Sequence, residues 1–93
     1  MLRIMRCELS REEAILRLEG RIIGPWIDQL ERLCEEMLAR GVSLTLDLAE
    51  VDFVEQDGAR LLRALVGSGV ALPNCPAFVS EQLKALPPSE RPA

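Results

Sequence analysis

The sequence predicts an α/β domain: a four-stranded mixed sheet, made by a β-hairpin followed by β-α-β crossovers, with the helices mainly on one face. Three observations predict it. Apolar residues alternate with polar ones in short runs, as in Ala14, Leu16 and Leu18 or Val42, Leu44, Leu46 and Leu48, which is the period of a half-buried strand. Trp26, Ile27, Leu30, Leu33, Cys34, Met37 and Leu38 recur at spacings of three and four, the period of an amphipathic helix. Gly20, Gly24, Pro25, Gly41, Gly69 and Pro73 fall between these segments and punctuate them.

The elements follow in order. Residues 2–9 and 13–19 read as two strands joined by the polar Ser10-Arg11-Glu12 turn, the first broken by Arg3 and Arg6 as suits an edge strand. Gly20 is expected to end the second. Gly24-Pro25 opens the long helix, because proline lacks only an N–H that the first turn does not use, and Gly41 stops it. The third strand is followed by an acidic turn carrying Asp47, Glu50, Asp52, Glu55 and Asp57, with Val51, Phe53 and Val54 as apolar anchors. A short helix from Gly58 to Gly67 sets Leu61, Leu62, Leu65 and Val66 on one side, with Asp57 as its N-cap. Gly69 to Leu72 is expected as the fourth strand. Pro76 then opens a last helix whose Phe78, Val79, Leu83 and Leu86 face inward. Residues 1–86 form a single domain, and the proline-rich 87–93 a loose tail.

Crossovers between parallel strands are right-handed, so helices confined to one face give the strand order 1-2-3-4 and leave the other face lightly covered. Ile15 points to that bare face, where Met5 or Cys7 of the first strand could join it. Such an apolar patch predicts a two-fold homodimer.

Composition narrows function mainly by exclusion. The chain has 93 residues, 48% of them hydrophobic and 28% charged, enough for one small globular domain. Its only aromatics are Trp26, Phe53 and Phe78, so the core is aliphatic. The net charge is −4 and the basic residues are scattered, which argues against a nucleic-acid partner. With no histidine there is no imidazole base, no Ser-His-Asp triad and no His-ligated zinc. Lys84 is the only lysine and no glycine-rich loop precedes it, which excludes a P-loop. Cys7, Cys34 and Cys75 are far apart and read as small apolar core residues in a reducing compartment. The carboxylates of the acidic turn do not follow EF-hand spacing. No segment is long and apolar enough to span a membrane, and the expectation is a cytoplasmic protein without catalytic activity, metal or cofactor.

Two stretches carry a resemblance: Leu-Glu-Gly-Arg-Ile-Ile at 18–23, ahead of the long helix, and Leu-Asp-Leu-Ala-Glu-Val-Asp-Phe-Val-Glu-Gln-Asp-Gly at 46–58. In their order and spacing they resemble a STAS domain, the fold shared by anti-sigma factor antagonists and sulfate-transporter tails. In antagonist members, the second serine of an Asp-Ser-Ser-Gly-like turn is phosphorylated by a partner kinase that is itself the anti-sigma factor. By position, that turn falls here on Glu55, Gln56, Asp57 and Gly58. Asp57 takes the phosphoacceptor place with a permanent carboxylate, so no hydroxyl is available there. The resemblance implies a STAS-like regulatory module that works by protein–protein contact. Its partner would be an anti-sigma factor or serine-kinase-like protein, met through Trp26, Glu55, Gln56, Asp57, Gly58, Arg60 and Arg63. Two alternatives stand beside it: a soluble accessory subunit docking on a transporter component, and a small-ligand module binding a nucleotide.

Overall fold

The computed structural model describes residues 2–86; the expected tail at 87–93 lies outside them. The element order is β1 (Leu2–Glu8), β2 (Glu13–Ile22), α1 (Pro25–Ala39), β3 (Ser43–Val54), α2 (Gln56–Gly67) and α3 (Ala77–Ala85). β1 and β2 form an antiparallel hairpin in the register Cys7↔Ile15, Met5↔Arg17 and Arg3↔Glu19. Its turn is closed by the Leu9 N–H donating to the Glu13 carbonyl and the Glu12 N–H donating to Ser10 Oγ. β3 lies parallel to β2 on the other side, giving the order β1-β2-β3.

The sheet has three strands, not the four expected. Gly69 and Val70 are taken up by the end of α2, where their N–H groups donate to the Val66 and Leu65 carbonyls. Pro73 then removes a donor, so one bridge remains: Ala71 donates to the Leu44 carbonyl at 3.3 Å and accepts from the Leu46 N–H at 2.9 Å. β2 also runs past Gly20, where it was expected to stop, and ends at Ile22.

β3 is longer than its alternating run suggests, and the acidic residues Glu50 and Asp52 belong to the strand. Its pairing with β2 slips twice, from Arg17↔Asp47 to Glu19↔Glu50 and from Gly20↔Val51 to Arg21↔Phe53. Each slip adds a residue to β3, and a bulge of this kind re-aims the side chains beyond it. Leu44, Leu46, Leu48, Val51 and Val54 are all buried as a result, although the spacing changes from two to three. Phe53, expected as an anchor, is turned out and 48% exposed.

A single aliphatic cluster joins Ala14, Leu16, Leu18 and Ile22 of β2 and the buried face of β3 to Leu30, Cys34 and Met37 of α1, Leu61, Leu62 and Leu65 of α2, and Val79 of α3. All three helices thus cover one face of the sheet. Leu33 is only partly buried and lies at the margin of the α1 stripe. In α3 Val79 is buried, Leu83 is half-buried and Phe78 is exposed rather than inward, and Leu86, just beyond the helix, is buried. The Gln82 side-chain amide donates to the Val54 carbonyl at 2.7 Å, which fixes α3 against the end of β3. On the bare face Met5, Cys7 and Ile15 do come together, beside Arg6, Arg17 and Asp47. Two ion pairs flank them, Arg17–Asp47 at 3.9 Å and Arg3–Glu19 at 4.0 Å.

Only one cysteine behaves as the sequence suggests. Cys7 is exposed and Cys75 half-buried, whereas Cys34 is fully buried. Burial, and secondarily the charge of Glu35, pushes the Cys34 thiol up from 9.0 to about 11. Its folded pKa is raised, so its stabilising contribution is complete below the unfolded value and is lost as pH climbs from 9.0 towards about 11. At about pH 10 the fold is expected to have lost about 1.4 kcal/mol through this group. Chemical-denaturation midpoints at neutral and alkaline pH measure the loss, and Cys34→Ala should remove that part of it.

Candidate functional site

The site is built at the sheet edge where β2 and β3 deliver the chain into helices. β2 ends at Ile22, and Gly24 turns the backbone into α1 with φ 50, a conformation that L side chains rarely adopt. β3 ends at Val54, and Glu55 turns it into α2 with extended dihedrals, φ −68 and ψ 160. The Glu55 N–H donates to the Ile22 carbonyl at 3.0 Å, and Glu55 Oε1 accepts from the Gly24 N–H at 2.8 Å. One residue therefore ties the two helix entrances together, with its carboxylate at the positive end of α1.

This arrangement corrects the expected capping. The N-cap of α2 is Glu55, whose side chain reaches across to α1 and not to its own helix. Asp57 stands within the first turn of α2, its side chain 75% exposed, and accepts from Arg60 Nη1 at 3.1 Å. An exposed pair of that kind contributes about 0–1 kcal/mol. Gly58, the next residue, is buried. A Cβ there would lie 2.9 Å from Ile22 Cγ2, 3.1 Å from Val54 Cγ1 and 3.2 Å from the Ile22 carbonyl oxygen. The helix consequently sits against the ends of both parallel strands at a distance only glycine allows.

Between α1 and α2 runs an open groove of about 520 Å³ lined by Gly24, Ile27, Asp28, Glu31, Glu55, Asp57, Arg60, Leu61 and Ala64. Of the residues expected at the site, it gathers Glu55, Asp57 and Arg60. Gln56 is exposed on the same turn but does not line the groove, and Gly58 lies beneath it. Trp26 is half-buried and packs against the edge of the core. Arg63 is half-buried. Sequence reasoning missed Asp28 and Glu31. They share one side of α1 with Ile27, at a spacing that marks one helix face, but nothing in the chain says which neighbour that face meets.

The arrangement offers little chemistry. Among the described residues, no group of three or more His, Cys, Asp or Glu side chains is placed to hold a metal ion. No helix of the described residues is long and apolar enough to cross a membrane.

Comparison with known proteins rests on shape. The anti-sigma factor antagonist SpoIIAA in its unphosphorylated form superposes with a TM-score of 0.75 at 15% identity, over 91% of this chain and 84% of that one. The fold is STAS-like. The phosphorylated form of SpoIIAA, a Bacillus cell fate determinant, gives a TM-score of 0.73 at 13% identity, over 88% of this chain and 81% of that one. A STAS-domain anti-sigma factor antagonist from Rhodobacter sphaeroides gives 0.56 at 15% identity, over 80% and 87%. In sequence, no family model and no curated protein matches the chain. The STAS-like architecture is thus carried by the order of elements and the placement of the core, at identities where few individual side chains coincide.

Proposed function

We propose that this chain is a non-catalytic regulatory module that works by protein contact at the entrance of α2, in the manner of an anti-sigma factor antagonist. The partner would be an anti-sigma factor or a serine-kinase-like protein. The observation that carries the reading is Asp57: an exposed carboxylate on the first turn of a helix, at the edge of a groove, on a backbone held by the buried Gly58. SpoIIAA, whose fold this chain shares, has both a phosphorylated and an unphosphorylated form. In this chain Asp57 would supply fixed negative charge at the position that the resemblance in sequence assigns to the phosphoacceptor, and residues 50–67 contain no Ser, Thr or Tyr. A phosphoserine carries about −1.5 to −2 charge and three acceptor oxygens, so one carboxylate reproduces the sign and part of the strength. The module would then be held in one state at this position. A nucleotide suits the groove poorly, since its phosphates would meet Asp28, Glu31, Glu55 and Asp57.

Asp57→Ser tests the reading. The exchange removes an exposed ion pair, so stability should change by about 1 kcal/mol or less. Affinity for the cognate partner, once isolated, should change by about tenfold, the effect of losing a charge-assisted contact. Titration calorimetry with parent and variant reads both affinities. Identical values would remove Asp57 from the contact surface.

A further inference from the structure

We infer that the α1–α2 groove receives a basic segment of the partner protein, with arginine or lysine side chains laid along it. This inference rests on the proposed function and names the chemistry of the partner. The groove is amphipathic in cross-section: Ile27, Leu61 and Ala64 supply an apolar wall, and Asp28, Glu31, Glu55 and Asp57 the carboxylates. Against those four carboxylates the lining holds one guanidinium, Arg60, already engaged by Asp57. The surplus is three negative charges, in a chain whose whole net charge is −4. Most of the imbalance of the molecule is therefore concentrated on one concave surface.

Long basic side chains match such a surface in both respects. Their methylene stems cover apolar area while the head group stays at a polar rim. A guanidinium or ammonium opposite a carboxylate gains a charge-assisted hydrogen bond. An acidic or purely apolar segment would meet one half of the lining and be opposed by the other. The groove is continuous with Asp57 and Glu55, so a segment seated in it would also touch the entrance of α2. Clustered charge of one sign further predicts fast, salt-sensitive association.

Three helical peptides of about four turns, sharing one apolar pattern and bearing lysine, glutamine or glutamate at the flanking positions, provide the probe. Each is titrated into the isotope-labelled chain and followed by backbone amide shifts. The lysine peptide is expected to move the amides of 24–31 and 55–64 in a saturable way. Its affinity should fall about tenfold between low and physiological salt. Asp28→Asn combined with Glu31→Gln should weaken it about five- to tenfold, with an unchanged thermal midpoint. Glutamine and lysine peptides binding the groove equally would overturn the basic partner while leaving a contact surface there. Lysine-peptide shifts outside the groove, or none at all, would overturn the groove as the docking site. The Asp57→Ser affinity measurement reads the proposed function separately. Shifts of the same amides on raising the protein concentration alone would assign the groove to a second copy of this chain and overturn the inference.

Discussion

Leu30→Ala is expected to lower the unfolding free energy by about 2–5 kcal/mol, the usual cost of truncating a fully buried leucine. Leu30 is 0% exposed and stands with Cys34 and Met37 where α1 meets the sheet. The cavity would open inside the aliphatic cluster between α1 and the sheet, which strands in register cannot easily close around. In a domain of 93 residues, such a loss is a large share of the total stability. Leu33→Ala provides the internal control. It removes a half-buried side chain at the edge of the same stripe and should cost about half as much or less. Urea denaturation of the two variants side by side checks the ranking; equal midpoints would mean that α1 is rotated from its position against the sheet.

Gly58→Val should be the most damaging single exchange near the site. Alanine already places a Cβ 2.9 Å from a β-branched methyl group and 3.2 Å from a backbone carbonyl oxygen. Neither contact sits at the end of a flexible chain, so α2 must move away from Ile22 and Val54. Overpacking of this sort costs about 1–3 kcal/mol for one methyl. The better helix propensity of alanine returns at most about 1 kcal/mol of it. Valine adds two further carbons and is expected to leave little folded protein at ambient temperature. Thermal unfolding of the alanine variant, and circular dichroism of the valine variant, test the pair. A parent-like melting temperature for both would show that α2 can shift outward without penalty.

β2, the near half of β3 and the long helix were legible in the sequence because their apolar residues recur at a regular period. The far half of β3 was harder to see. Val51 and Val54 follow Leu48 at intervals of three, which looks like the end of a strand until two bulges restore the pattern. That change of spacing was the available signal. Ala71 was misjudged for a different reason: a β-branched and apolar run suggests a strand, but the hydrogen bonds of Gly69 and Val70 were already committed to the helix before them. The exposure of Phe53 and Phe78 has no counterpart in local pattern, since each is an aromatic residue directly beside a buried valine, Val54 and Val79. At the site, the turn at 55–58 could be read from one stretch of chain. The groove could not, because Asp28 and Asp57 are brought together only by the packing of α1 beside α2. Glu55 was expected in the turn, but its bond to Gly24 spans 31 residues and leaves no trace in local spacing.

The neighbouring residues 57 and 58 divide two tasks that are usually entangled. Position 58 is locked against two strand ends, and position 57 faces solvent on the same turn. Whatever occupies position 57 is delivered to the same point in space with the same orientation, because its own side chain takes no part in holding the backbone there. The fold therefore works as a mount with an interchangeable fitting. A hydroxyl, a carboxylate or an ammonium can each be offered at that point, and the polarity presented there can be changed by a single codon without re-engineering the interior.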